Sequence, residues 1–193
     1  MPRSKQLNGR KSNGQERSGL NGNCQNGHRL NGHATAKARQ QTNDAEPLYS
    51  VRRSAIHGRG VFAARDIPRG MRIIEYRGVR ISYDRAAELY PDFWDEPTHT
   101  FLFEIDDDTV IDAGQRGNAA RWINHSCAPN CEAVDEGGRI YIEAIRRIRA
   151  GEELSYDYNI SVGARESAAE RRRWACLCGA TFCRGTLLAT KKR

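Results

Sequence analysis

From Leu48 onward the apolar positions come in short runs broken by Gly, Pro and Asp turns. Gly60–Ala63, Met71–Tyr76, Phe101–Ile105 and Thr109–Asp112 each read as a strand of four to six residues. Asp106-Asp107-Asp108 marks a hairpin turn between the last two. Asp135-Glu136-Gly137-Gly138 marks another ahead of Arg139–Ile145, where apolar and polar residues alternate. Helical signals are few. Ser82 is placed as the N-cap of a short helix through Leu89, halted by Pro91. Gly117–Ile123 reads as a helical turn and Ala164–Arg173 as a charged, exposed helix. Many short strands without βαβ periodicity or internal repeats predict a mainly β fold of small sheets.

Composition changes this picture only at the front. Hydrophobic residues make up 38% of the 193-residue chain, low for a uniformly folded protein. Residues 1–45 hold eight Lys and Arg against two acidic residues, Glu16 and Asp44, and repeat Asn-Gly five times. A segment with so few large apolar side chains cannot offset its ordering entropy, so residues 1–46 are expected to be a disordered basic tail. The remaining residues hold 23 basic and 22 acidic side chains, so the high pI belongs to the tail. A zinc-stabilised nucleic-acid-binding body is therefore disfavoured; only weak tail-mediated contact with nucleic acid is expected. No run resembles a signal-peptide core or a bilayer span, which predicts an intracellular chain without a membrane partner.

Five of the six cysteines lie in the folded part, and three of them form Cys176-Leu177-Cys178-Gly179-Ala180-Thr181-Phe182-Cys183. Three thiolates in eight residues can take three corners of a zinc tetrahedron, with Gly179 allowing the sharp turn. The fourth corner must come from a distant residue. Cys127 and Cys131 are the candidates.

Four segments then occur in order. The first is His57-Gly58-Arg59-Gly60-Val61-Phe62 with Asp66-Ile67-Pro68-Arg69-Gly70 and Ile74-Glu75-Tyr76-Arg77-Gly78. The second runs from Gly117 to Asn130 and contains Arg121-Trp122-Ile123-Asn124-His125-Ser126-Cys127-Ala128-Pro129-Asn130. The third is Gly151-Glu152-Glu153-Leu154-Ser155-Tyr156-Asp157-Tyr158, and the fourth is the cysteine unit. Together they resemble a SET domain, over residues 47–161, followed by a post-SET zinc segment, over 162–193.

The resemblance implies a pseudoknot in which Asn124–Cys127 passes beneath another segment. It also implies that Cys127 completes the zinc site with Cys176, Cys178 and Cys183, leaving Cys131 a small residue at a strand start. S-adenosylmethionine is the implied cofactor, held by His57, Gly58, Arg59, Gly60, Phe101, Asn124 and His125. Bare glycines let a ligand approach the backbone. His125 has a second reading as a hydrogen-bonded core histidine. Arg121 is read as a buttress of the knot, with cofactor contact as its alternative. Trp174 either covers the adenine or docks on the core. Phe101 stands where relatives often carry tyrosine, so a hydroxyl contact is absent there. Tyr158 is the implied catalytic tyrosine, Tyr76 lines the lysine channel, and Tyr156 occupies the position that favours monomethylation.

The implied substrate is a lysine-bearing protein such as a histone tail. All five lysines of the chain lie at its ends, at Lys5, Lys11, Lys37, Lys191 and Lys192. Arg3-Ser4-Lys5-Gln6-Leu7-Asn8-Gly9-Arg10-Lys11-Ser12 resembles the start of the core histone reading Ala-Arg-Thr-Lys-Gln-Thr-Ala-Arg-Lys-Ser, with one residue inserted. The tail is thus a candidate cis substrate or pseudosubstrate. A catalytically silent SET-fold binding module is the main rival to an enzyme, and intact Tyr76, Asn124, His125 and Tyr158 argue against it. Such a protein is expected in the nucleus or on chromosomes if eukaryotic, and in the cytoplasm or as a secreted effector if bacterial.

Overall fold

A computed structural model describes residues 47–91, 101–161 and 167–189. The basic tail, its lysines, Cys24, Lys191 and Lys192 lie outside these residues. Among them the chain forms ten strands, two short α-helices and one 3₁₀ turn, arranged as four small sheets.

β1 (Tyr49–Arg53) and β2 (Arg59–Ala63) form an antiparallel ribbon in register Tyr49 to Ala63. β3 (Arg72–Tyr76), β8 (Cys131–Glu136) and β9 (Arg139–Ala144) form a second sheet with β9 in the middle. Its hairpin turns on Gly137 and Gly138, both at positive φ (62° and 82°), as a two-residue turn with the twist of a right-handed ribbon requires. β4 (Val79–Ser82), β6 (Thr109–Asp112) and β5 (Leu102–Glu104) form the third. The aspartates between β5 and β6 make the predicted turn, Asp108 N–H donating to Asp106 Oδ1 at 3.0 Å.

Ser82 caps α1 (Tyr83–Leu89) by accepting from Arg85 N–H at 3.2 Å, as its sequence position predicts. The predicted 164–173 helix is observed from its capped start: α2 covers Ala168–Arg173, with a reciprocal capping box between Ser167 and Glu170. Residues 164–166 fall outside the described residues. The helical turn of 117–123 is the 3₁₀ segment Ala119–Trp122, capped by Asn118.

The fourth sheet is the smallest and the most consequential. β7 (Asn124–His125) and β10 (Ser155–Tyr156) pair in parallel. The chain around β10 is clasped from two sides. On one side Ala63 N–H donates to Glu152 O and Leu154 N–H to Val61 O. On the other, Ser126 N–H donates to Tyr156 O and Asn130 N–H to Ser155 O. Asn130 reinforces the clasp with its side chain, donating to Glu153 O at 2.8 Å and accepting from Ser155 N–H at 2.9 Å. Two-residue strands survive here because their neighbours are buried. Ile67, Ile123, Ile142, Ile148 and Leu154 are essentially inaccessible and pack in one cluster with Val61, Ile74, Tyr76, Phe103 and Tyr156. Each such side chain contributes about 1.5–3 kcal/mol relative to exposure.

Candidate active site and cysteine centre

The crossing brings the second and third sequence segments together. Three tyrosines meet on it. Tyr156 and Tyr158 have ring centroids 4.9 Å apart, Phe103 lies 6.3 Å from Tyr156, and Tyr76 lies 5.2 Å from Phe103. Tyr158 donates its hydroxyl proton to Ile123 O at 2.8 Å and Tyr76 to Phe101 O at 3.1 Å. Tyr156 is buried beside them, and the buried Nε of Arg121 is left without a hydrogen-bond partner among the described residues. Burial raises the pKa of all three phenols above the ordinary tyrosine range. At Tyr158 the negative charge of Glu153 adds to that effect, and at Tyr76 and Tyr156 the neighbouring tyrosines do. These groups are neutral hydroxyls at physiological pH. They orient and donate; they are not phenolate bases.

Beside the tyrosines, the G-x-G loop is tied down by Asn124. Its amide nitrogen donates to His57 O (3.3 Å), Arg59 O (2.9 Å) and Glu153 Oε1 (2.8 Å). The two glycines differ. Gly58 has φ +47° with no atom near the place of a Cβ, so its surface is open. At Gly60 the bare backbone serves a protein carboxylate instead: a Cβ there would stand 2.2 Å from Glu153 Oε1. Glu153 also accepts from Ser54 Oγ at 2.7 and 2.9 Å. It has no Lys or Arg partner among the described residues. The carboxylate is satisfied by these neutral donors and brings a negative charge to the G-x-G loop.

His125 is buried and engaged on both ring nitrogens. Nδ1 accepts from Tyr158 N–H at 3.1 Å, which leaves the proton on Nε2, 3.4 Å from Cys127 Sγ. Burial holds this ring below its ordinary pKa, Asp157 opposes and Arg184 adds to the lowering. Arg121 donates to Ala113 O at 3.0 Å and lies 4.8 Å from the Trp122 ring and 5.6 Å from Phe101. Phe101 packs edge-on to Trp122, with centroids 4.8 Å apart, and Arg59 covers Trp122 at 5.3 Å. Trp174, read as covering the adenine or docking on the core, is 3% accessible at the C-cap of α2. Its carbonyl accepts from Thr186 Oγ1 and Leu187 N–H, so the C-terminal segment folds back over it.

The cysteines converge from both ends. The sulfurs of Cys127, Cys176, Cys178 and Cys183 all lie within 4.8 Å of one another, with Cys127 at 3.8 Å from both Cys176 and Cys183. A tetrahedron with Zn–S near 2.3 Å has S···S edges of about 3.8 Å, so the four thiols fit that ion. Backbone donors point at the sulfurs, Cys127 N–H toward Cys178 Sγ at 3.5 Å and Gly185 N–H toward Cys183 Sγ at 3.3 Å. Burial opposes ionisation of Cys178, yet backbone N–H groups of Cys127 and Ala180 and the neighbouring thiols bring its pKa below the ordinary value. Cys131 stands apart, buried at the start of β8 against Asn130 Oδ1.

A SET domain profile matches residues 58–159, more than half of the chain. The chain belongs to the SET domain family. Its SET domain is 44% identical over 138 residues to the histone-lysine N-methyltransferase trithorax of Drosophila virilis. It is 43% identical over 141 residues to human histone-lysine N-methyltransferase 2B. It matches the Chaetomium globosum histone-lysine N-methyltransferase, H3 lysine-4 specific, at 43% over 141 residues. These alignments cover 68–70% of this chain but only 3%, 5% and 13% of the three relatives.

Four residues that serve this SET domain site were not singled out from the sequence: Ser54, Glu153, Asp157 and Arg184. Arg184 follows the last cysteine and grips Asp157, between Tyr156 and Tyr158, through Nη1 (2.6 Å) and Nη2 (2.5 Å). Their only sequence signal was adjacency to residues already chosen, since their partners are 27 to 99 positions away.

Proposed function

We propose that this chain is a protein-lysine N-methyltransferase that uses S-adenosylmethionine and is organised as a tail (1–46), a SET domain (47–161) and a post-SET zinc segment (162–193). The observation that carries the reading is the meeting of Tyr76, Tyr156 and Tyr158 with Asn124 and the open Gly58 loop at one chain crossing. The cofactor supplies an electrophilic methyl group on a positive sulfur. His57–Gly60, Phe101, Arg121, Asn124, His125 and Trp174 form or brace its place, and Glu153 contributes a compensating negative charge.

The chain's own residues must handle the amine. A free lysine is neutral only about once in 10³ at pH 7, a deficit of about 4–5 kcal/mol. The buried aromatic cluster disfavours an ammonium, and the nearby positive sulfur disfavours it further. Tyr158 and Tyr76, anchored on Ile123 O and Phe101 O, hold the amine in line without acting as bases. Tyr156 leaves its hydroxyl to occupy space beside the amine, which favours monomethyl-lysine over the trimethylated product.

Zinc, held by Cys127, Cys176, Cys178 and Cys183, ties the C-terminal segment to the strand carrying the site. His125 connects the two through Cys127 and the Tyr158 backbone. The substrate class follows from the relatives' names, which point to histones and, for the fungal protein, to lysine 4 of histone H3. A nuclear or chromosomal location goes with that substrate, and no helix among the described residues is long and apolar enough to cross a membrane. The likeness of Arg3-Ser4-Lys5-Gln6 to the histone start makes Lys5 the first candidate, and Lys11 the second, for methylation in cis. If not modified, the tail occupies the groove as a pseudosubstrate.

The test is methyl transfer from labelled S-adenosylmethionine to histone H3 and to the protein itself, with mass mapping. Loss of one oriented hydroxyl in Tyr158→Phe is expected to slow transfer about 10²–10³-fold. Cys178→Ser is expected to abolish zinc stoichiometry. No transfer by zinc-loaded protein that binds the cofactor would defeat the enzyme reading. Unmodified Lys5 and Lys11, with kinetics unchanged on deleting residues 1–45, would defeat the role given to the tail.

A further inference from the structure

The outward face of the β3–β9–β8 sheet is laced with paired charges. Arg72 bonds Glu136 and Glu143 and lies 3.9 Å over Tyr141. Glu75 receives Arg139 twice at 2.9 Å and Arg77 once at 2.9 Å. Where β3 leaves this face for β4, the pairing runs out. A cavity of about 240 Å³ opens there, lined by Arg77, Arg80, Arg116 and Arg139 together with Glu75, with Tyr76, Gly78 and Ile111 completing its wall. Among the lining residues four guanidiniums stand against one carboxylate, with Asp106 near Arg80 outside the lining, so positive charge remains in excess.

The surplus is built into the backbone. Arg80 is held in place by Gly138 O, at 2.7 Å from Nη2. Arg116 has no carboxylate partner among the described residues and adopts φ +54°, a left-handed conformation that residues with side chains avoid. The turn around it is tight: a Cβ at Gly117 would stand 2.0 Å from Ala113 O. Gly78 is pressed on Asp112, where a Cβ would meet the carbonyl at 2.4 Å. An unfavourable backbone beneath an unpaired cation serves a ligand better than it serves the fold.

Charge and shape select the ligand. Guanidinium forks match phosphate oxygens two at a time. A phosphate monoester near its dianion at neutral pH uses the surplus more fully than a singly charged diester. A nucleic-acid duplex would need a basic stripe, whereas Glu75, Glu136 and Glu143 share the adjoining face and the body is nearly neutral. We propose that this cavity, which borders the tyrosine cluster at Tyr76 and lies apart from the cysteine site, binds a phosphate monoester such as the side chain of a phosphoserine or phosphothreonine on a protein partner.

The experiment uses the full zinc-loaded chain and fluorescence anisotropy. The probe is a labelled acetyl-Gly-Ala-phosphoserine-Ala-Gly peptide beside its unphosphorylated twin and a short DNA duplex. The phosphopeptide is expected to bind at least about tenfold tighter than its twin. Inorganic phosphate should displace it. Arg80→Ala and Arg116→Gly should each abolish the difference. Arg116→Gly removes the cation where glycine is conformationally at ease, so its melting temperature should hold or rise. Equal binding of the two peptides would overturn the proposal, as would phosphopeptide binding undiminished in both variants. Tighter binding of the duplex, lost in the same variants, would overturn it in favour of nucleic acid.

Discussion

The β7–β10 crossing and the cysteine segment lie side by side in function but are held by different forces. The crossing consists of two two-residue strands, yet Ile123, Leu154 and Ile142 beneath it are essentially inaccessible and backbone bonds clasp it from both sides. The cysteine segment exposes Leu177 at 68% and Phe182 at 91% and buries little besides Trp174, Thr186 and Leu188. Burial secures the first. The second rests on four thiols, the Arg184–Asp157 pair and a few backbone bonds, so the proposed zinc would contribute most of its order. On the proposed function, burial would hold the part that positions the amine, and metal binding the part beside the cofactor.

That contrast can be broken most forcefully from the core. Ile142→Ala should cost about 2–5 kcal/mol of global stability in chemical denaturation, lowering both regions together. Chelating zinc should do the opposite: amide exchange in 174–189 should rise while the amides of Ile142 and Ile148 stay protected. Uniform exposure of both regions on chelation would show that they form one cooperative unit.

Arg184→Met sharpens the comparison, because it leaves Asp157 half-buried without its guanidinium, with Asn159 N–H as its remaining hydrogen-bond donor. A loss of about 1–3 kcal/mol is expected, with faster exchange confined to the C-terminal segment. Glu153→Gln acts on the crossing without touching the core. It keeps the shape and an oxygen acceptor for Ser54 and removes the charge. S-adenosylmethionine affinity should fall about tenfold by calorimetry, with an unchanged melting temperature. Unchanged affinity would remove Glu153 from the cofactor site.

The smallest effect lies on the remote sheet face. Hydrogen bonds from Arg139, opposed by burial and assisted by Arg77, hold Glu75 down to about 2. A depressed folded pKa means that this pairing stabilises the protein above the unfolded carboxylate value. The contribution fades as pH falls from about 4.5 toward about 2. The difference in melting temperature between the wild type and Glu75→Gln should therefore shrink over that window. A constant difference would mean that the pair contributes no pH-dependent stability.

Much of this was legible in the chain order. The Thr109–Asp112 strand, the Ser82 cap, the glycine hairpin at 137–138 and the converging thiols followed from local chemistry: alternation, capping, turn preference and ligand spacing. β1 did not, because three of its five residues are exposed and it lacks an alternating apolar face. β7 and β10 did not either, since two residues carry no period. Spacing alone offered two cysteines for the fourth corner of the metal site, and the family resemblance pointed to Cys127. The folded chain places Cys127 with the other three and Cys131 against Asn130.

Sequence alone determined which residue types were available and where the backbone could turn, since propensity and spacing act over a few residues. The tertiary structure decided what each one faces. It turned Gly60 from an opening for a ligand into the seat of Glu153, and both nitrogens of His125 toward protein groups. It also gathered four arginines from separate strands and turns around one cavity. Contacts between positions tens of residues apart depend on how the whole core packs, and no local pattern records them.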